Sequence, residues 1–469
     1  MTEWHPNRED LERFLNDLLS DADSRALQRH LFTCASCEES MIALLPGPKE
    51  DLPFWGQDDG DDSDEAPSYE GLVQRVLAET RGEIERRESR LERERREAAE
   101  IWRELAAVSP EEARTRAYDD PRLHSWGLFE LLLDRARRDS LAHTRQAEEL
   151  LRLALVIAGC LDSGRYGPGS VEAAHARAWA YLGNVLRIRS DFQEAERAFQ
   201  MAERHLSRSW LDPLDEALVL ELQASLRRAQ RRFEEALEML DSAIALYREV
   251  NEPHFQGRCL VKKGLALQYA NATDEAAACF RSSLFLLNPP EDPRLVLAAH
   301  YGLIHCLHDS GRFAEARTLI VEARPLWQES GSRLDLVRLN WLEGKVAHGL
   351  GRPEEAEATL LEVRREFELE GIAYDAALAS LDLAAVYARQ GRTADTKRLA
   401  REMLPIFQSR EVHREALAAL IQFRRAAEME QLTLSLVDEI AAYLRGARDS
   451  PGLRFRGEAA GASSLLVAS

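Results

Sequence analysis

Leu11, Phe14, Leu15, Leu18 and Leu19 fall at i, i+3, i+4, i+7 and i+8, the spacing of one apolar helix face. Asp21 to Asp23 break that pattern and can cap a second helix leading to His30. The period is then lost over residues 47–69. Pro, Gly and the acidic run Asp58, Asp59, Asp61, Asp62, Asp64 and Glu65 predict a disordered linker there. Residues 70–107 predict one long helix, apolar at its start (Leu72, Val76, Leu77) and its end (Ile101, Trp102, Leu105). Between Arg81 and Glu100 it is almost wholly charged, with opposite signs four apart in Glu83/Arg87 and Glu92/Arg96. No sustained a/d stripe is evident, so a charged connector over 70–120 is expected rather than a coiled coil. Pro110 marks the start of a further helix.

From about residue 121 the pattern becomes a helical array with an internal ruler. Ala195, Ala236, Ala276, Ala316, Ala356 and Thr396 follow one another at 41, 40, 40, 40 and 40 residues. Four residues after each Ala stands a large apolar residue: Phe199, Leu240, Phe280, Ile320 and Leu360. Twelve before it is a small residue at Gly183, Ala224, Gly264 and Gly344, but Ile304 in the fourth unit. Gly311, Gly351 and Gly391 lie five before the ruler, where a helix–helix turn needs left-handed backbone. Two helices of a hairpin approach closely only where small residues cross, and a bulky residue one turn away fills the gap to the next hairpin.

This pattern resembles the tetratricopeptide repeat. Trp179, Leu182, Gly183, Leu186, Ala195, Phe199 and Ala202 match the signature positions of that family, while Gln223, Ile304 and Thr396 depart from it. The period is about six residues longer than the usual unit, so helices or loops must be extended. Six repeats are expected over about 172–408, with a divergent unit at about 122–162 that has Ala147 at the ruler position. Ser163 to Ser170 is expected as a loop. A capping pair follows to about 446 through Leu417, Leu420, Leu436, Ile440 and Leu444, and residues 447–469 form a disordered tail.

Stacked hairpins present a concave groove lined by the first helix of each repeat. The second, fifth, ninth and twelfth positions are expected to face it. These positions supply Tyr301, His305, His308, Arg338, Trp341, Lys345 and His348, with Arg177, Asn184, Arg187 and Arg228 in earlier repeats. Aromatic and Arg residues on a concavity suit protein binding, and a locally basic groove favours an acidic partner. The alternative is that Trp341 and Tyr301 pack between neighbouring first helices. His305, His308 and His348 have no Asp, Glu or Cys at ligand spacing, which argues against a metal there.

Composition narrows the classes. The 469 residues carry a formal net charge of −20, which repels nucleic acid and anionic lipid, so neither is an expected partner. No apolar run approaches the ~20 residues that span a bilayer, and no signal peptide is evident. Cys160, Cys259, Cys279 and Cys306 stand singly in helical patterns and are expected as buried hydrophobes, which points to the reducing cytoplasm. No Gly-rich phosphate loop, Gly-x-Ser-x-Gly or His-Glu-x-x-His is present, so an enzyme is not expected.

One chemical motif remains, His30-Leu-Phe-Thr-Cys34-Ala-Ser-Cys37. A helix places His30 and Cys34 on one face, and a turn presents Cys34 and Cys37 to one ion. Zinc prefers four N/S ligands in a tetrahedron, and His5, just before the first helix, is the best fourth. The segment of about 3–45 resembles the zinc-binding anti-sigma factor domain. That family shows an early His, an amphipathic helix and H-x3-C-x2-C, so His5, His30, Cys34 and Cys37 fall on its ligand positions. The resemblance implies a zinc module over 1–46 whose helices insert between domains of a sigma factor. Whether such a site also senses oxidants stays open. The expected fold is all-α: a small zinc-stapled helical domain, a long linker helix, then an α-solenoid over 121–446. Two functions are compatible with it. One is a transcription regulator of the anti-sigma kind; the other is a protein scaffold in which zinc only staples a small domain.

Overall fold

Asn7 and Asp10 cap the first helix reciprocally. The Asp10 N–H donates to Asn7 Oδ1 (2.9 Å) and the Asn7 N–H to Asp10 Oδ2 (3.2 Å), which starts α1 (Arg8–Leu15) two residues after Pro6. The structure is a computed structural model describing residues 5–15, 27, 30, 34, 36–37, 40, 69–140, 142–209, 212–408, 414–428 and 433–449. It divides into two units, Met1–Gly82 and Glu83–Ser469. All regular structure among the described residues is helical, and no helix there is long and apolar enough to cross a membrane. In the first unit Leu11 and Leu27 are buried. Leu18, Leu19, Asp21 to Asp23, the acidic linker to residue 68 and the tail from residue 450 lie outside the described residues.

The predicted long helix is α2 (Tyr69–Leu105). From Glu83 onward it belongs to the second unit, and it is packed there rather than a bare connector. Leu91, Ala98, Ile101, Trp102 and Leu105 join the first core cluster. The face was hidden in the sequence because its seven-residue stripe, at 91, 94, 98, 101 and 105, contains an Ala and a Glu. That Glu is Glu94, only 5% exposed. Its carboxylate accepts from the Tyr166 hydroxyl (2.9 Å), the Arg165 guanidinium (2.5 Å) and the Trp126 N–H (3.0 Å). Burial, then the bond to Glu94, pushes the Tyr166 phenol up to about 12. The crossing is tight: a Cβ on Gly127 would lie 2.4 Å from the Glu94 backbone.

α3 (Pro110–Asp119) starts at the predicted proline, with Ser109 as its N-cap. α4 (Trp126–Asp139) and α5 (Thr144–Cys160) form the divergent hairpin, with Ala147 fully buried. The expected loop at 163–170 is instead a single helical turn, α6 (Ser163–Tyr166), followed directly by a helix with Pro168 at its start. Its Asp162 cap accepts from the Gly164 N–H (2.8 Å). That cap made the short turn possible despite the Gly/Pro content.

Six hairpins follow. They are α7 (Pro168–Ile188) with α8 (Phe192–Leu206), α9 (Pro213–Ala229) with α10 (Phe233–Glu249), and α11 (Pro253–Tyr269) with α12 (Thr273–Leu286). Then come α13 (Pro293–Asp309) with α14 (Phe313–Ser330), α15 (Arg333–Gly349) with α16 (Pro353–Leu369), and α17 (Ala373–Arg389) with α18 (Thr393–Gln408). A last pair, α19 (Arg414–Glu428) and α20 (Leu434–Asp449), packs its Leu420, Phe423, Ile440 and Leu444 against α17 and α18. The long period comes from the helices. From α15 to α17 it consists of two 17-residue helices and two three-residue turns, 350–352 and 370–372.

Each turn inside a hairpin closes the same way. Ser190, Arg231, Asn271, Gly311, Gly351 and Gly391 all have φ between 61° and 70° or, at Gly351, 71°. The next residue's N–H reaches back five positions, as from Asp191 to Leu186 O (2.9 Å) and from Arg352 to Ala347 O (3.0 Å). Three of these left-handed positions are not glycine, so a glycine search finds only half of them. The ruler alanines are all fully buried. A Cβ on Gly183 would lie 2.9 Å from Phe199, and one on Gly344 the same distance from Leu360. Phe280 is wedged between two repeats: a Cβ on Gly264 would lie 2.8 Å from its ring and one on Gly302 2.4 Å. Thus Gly302 gives the room that Ile304 does not. Thr396, the polar ruler residue, donates its hydroxyl to Arg392 O (3.1 Å) and stays buried.

We expect Gly302→Ala to destabilise the array by ~1–3 kcal/mol through overpacking on Phe280. Gly351→Ala, with nothing within 4 Å of the new methyl, should cost only the left-handed backbone term, about 1 kcal/mol. Adding Phe280→Leu should recover stability in the Gly302→Ala background and not in the Gly351→Ala background, measured by urea denaturation. Equal response in both backgrounds would contradict the wedge.

Candidate functional site

In the first unit the backbone brings the motif together before any ion is considered. The Cys34 N–H donates to His30 O (2.9 Å), and the Cys37 N–H to Cys34 O (3.1 Å), so a helical turn carries directly into a tight one. The Asn7–Asp10 cap sets His5 beside them. His5 Nδ1 lies 3.3 Å from Cys37 Sγ and 3.6 Å from Cys34 Sγ, and His30 Nε2 lies 3.2 Å from Cys37 Sγ. The His5 and His30 rings meet edge-on at 5.2 Å. All four ligand atoms fall within 4.8 Å of one another, and no other such set of His, Cys, Asp or Glu occurs among the described residues. Ligands on a tetrahedral zinc with bonds of about 2.0–2.3 Å stand roughly 3.5 Å apart, so these spacings fit such an ion. Cys37 is buried; burial and the neighbouring Cys34 raise its thiol above the ordinary value.

In the array the eleven proposed groove residues all lie on first helices and are all half-buried. Their partners differ. Arg177 pairs with Asp215 of the next repeat (2.6 Å), and the Trp341 indole N–H donates to Asp382 of the next repeat (2.7 Å). The Trp341 ring also meets Phe367 edge-on at 5.4 Å, and Tyr301 lies 6.3 Å from Trp327, so both aromatic side chains take part in packing. Arg338 is 3.8 Å from Asp335 on its own helix. Arg187 donates to Asn184, and Arg228 lies over the Tyr269 ring. Among the described residues Lys345 and His348 make no ion pair; burial, then the charge of Arg389, lowers the His348 pKa.

One sequence expectation needs correcting here. An acid does join the histidines: Asp309 lies 2.9 Å from Nδ1 of both His305 and His308. It stands four residues after the first and one after the second, so the end of α13 brings all three together. Burial alone would raise the Asp309 carboxyl, but the two imidazoles outweigh it and hold it well below the usual range. His308 is itself shifted down, chiefly by burial.

The most buried charge among the described residues was not found from the sequence. Glu221 on α9 is 1% exposed. It accepts from Arg258 through both oxygens (2.7 and 2.6 Å), from Lys262 (2.9 Å) and from the Tyr247 hydroxyl (3.2 Å). Burial pushes its carboxyl up, yet Arg258 and Lys262 prevail and bring it down to about 2. The signal was present: Arg258 and Lys262 stand 37 and 41 residues on, either side of one period. Opposite charges so spaced recur as Arg177/Asp215, Arg317/Glu355 and Arg364/Glu402.

No family model matches this sequence, and no curated protein does. Among solved structures the chain is similar to the apo form of RapI, at 13% identity and a TM-score of 0.53, over 68% of this chain and 87% of that one. It is also similar to a signal transduction ATPase with numerous domains that has a tetratricopeptide repeat sensor, from Pyrococcus horikoshii. There the identity is 14% and the TM-score 0.52, over 76% of this chain and 53% of that one. These likenesses show the fold, an α-solenoid of tetratricopeptide-like hairpins.

Replacing Glu221 leaves Arg258 and Lys262 facing one another without a counter-charge. Glu221→Gln should therefore destabilise the array by about 3–5 kcal/mol. Because the folded carboxyl is held down to about 2 against an ordinary 4.5, its contribution is complete above pH 4.5 and is lost as pH falls from there toward 2. Urea midpoints across that window should fall more steeply for the wild type than for Glu221→Gln; parallel curves would contradict this account.

Proposed function

We propose that this chain is a non-enzymatic regulatory adaptor that binds partner proteins through the groove of its repeat array and carries an N-terminal zinc module of the anti-sigma kind. The observation that supports the module most is the convergence of His5, His30, Cys34 and Cys37, two nitrogens and two sulfurs at tetrahedral spacing. Zinc bound there would contribute folding energy to a segment too short to hold a large core. The anti-sigma role rests on the resemblance of residues 3–45, and a sigma factor is the partner it implies. The groove reading rests on cations and an aromatic edge held half-buried along first helices, in a chain whose net charge is −20.

A pure scaffold is the second reading. It is favoured by the closed character of the donor set: four protein ligands leave no open position, as in structural zinc sites. In that case the module is a staple and all recognition belongs to the array.

We expect metal-replete full-length protein to contain one zinc per chain by elemental analysis, and Cys34→Ser with Cys37→Ser to contain none. Lack of zinc in the wild type, or its retention in the double variant, would remove the metal assignment. For the array, Lys345→Glu with His348→Glu is the informative pair, since neither residue makes an ion pair among the described residues that its loss would break. The pair should weaken co-purified partners about tenfold or more with no change in helicity. Deleting residues 1–46 should remove a transcription component from the co-purified set and leave the groove partners. Loss of no transcription component would favour the scaffold.

A further inference from the structure

The ruler that places the core also counts out the outer face of the second helices. Five and nine residues after Ala276, Ala316 and Ala356 stand Arg281 and Phe285 on α12, Val321 and Pro325 on α14, and Leu361 and Arg365 on α16. All of these are exposed. Phe285 is 84% exposed, Val321 62% and Leu361 42%. A single apolar side chain in water is ordinary, but matched positions on three successive repeats make a patch. Two residues after the ruler, Ala278, Thr318 and Ala358 are small and exposed, so they leave the patch open on that side. Arg317 on α14 bridges to Glu355 on α16 at 3.3 Å, which ties neighbouring second helices side by side. The charges around the patch balance. Arg281 and Arg365 stand at opposite corners, and Glu322 and Glu362 lie along the rim. Neither arginine makes an ion pair among the described residues.

We infer that this face is an interface for a second copy of the chain, formed about a two-fold axis that runs along α14. A patch of balanced charge does not select a strongly acidic or basic partner, whereas a copy of itself supplies the complement. With α12 laid against the partner's α16, Phe285 meets the partner's Arg365, an aromatic face against a guanidinium with no other counter-group. Arg281 covers the partner's Leu361 with its stem and reaches the partner's Glu362 with its charge. Val321 and Pro325 meet their own copies at the axis. Each off-axis contact occurs twice, as two-fold symmetry requires. The apolar patch is small, so the dimer is of the transient kind. It leaves the first helices open, and the inference does not depend on the groove reading above.

The test is sedimentation velocity of the full chain. The wild type should pass from monomer to dimer with a midpoint of about 10–100 µM, the range of a small transient interface. Phe285→Asp with Val321→Asp should sediment as monomer throughout, with unchanged helicity and melting temperature, because both side chains already stand in water. Arg281→Glu should weaken the dimer about fivefold, near the upper end for an exposed ion pair, and adding Glu362→Arg should recover it by reversing the pair. A wild type that stays monomeric to about tenfold above that range overturns the interface. So does a dimer undiminished by the double Asp variant, and a charge reversal that recovers nothing overturns the two-fold pairing. Should the wild type be monomeric while the double Asp variant loses a co-purified protein, the face docks a different partner and this inference falls.

Discussion

The close crossing of two helices at a small residue governs this molecule. Each ruler alanine lies fully buried where the second helix of a hairpin meets the first. At such a crossing one added methylene forces a shift in packed neighbours. The bulky residue four positions on then has a fixed place, and Phe280, wedged against Gly264 and Gly302, shows how one repeat sets the position of the next. Because each of the six repeat hairpins closes with the same left-handed turn and a five-position return bond, the first helices arrive in register. The groove follows from that register.

Register also explains how charges are arranged. Side chains about one period apart in sequence are neighbours across equivalent helices of adjacent repeats, so opposite charges at 37–41 residues find each other. Glu221 with Arg258 and Lys262 is the most buried case. Such a network adds modest net stability but makes a misplaced repeat costly, since a slipped helix would leave a buried charge alone.

Much of this was legible in the sequence. The ruler spacing fixed six hairpins because a small residue at a crossing tolerates little variation. H-x3-C-x2-C with His5 named four donors that the backbone does bring together. What escaped was of two kinds. Glu94 and Ala98 hid a packing face on α2, since a buried Glu looks like any other charge until Tyr166 and Arg165 are seen around it. Pairings between repeats, such as Trp341 with Asp382, depend on which way a half-buried side chain turns. Residue type alone does not decide that, so an aromatic at a groove position can serve packing and recognition at once.

The central functional claim is that first helices, not second helices, meet the partner. Hydrogen exchange of the full chain with and without a co-purified protein partner addresses it directly. Slowed exchange at the C-terminal halves of α7, α9, α13 and α15, with α8, α10, α14 and α16 unchanged, is the result this account predicts. Slowing confined to the second helices would place the partner on the outer face of the solenoid and contradict it.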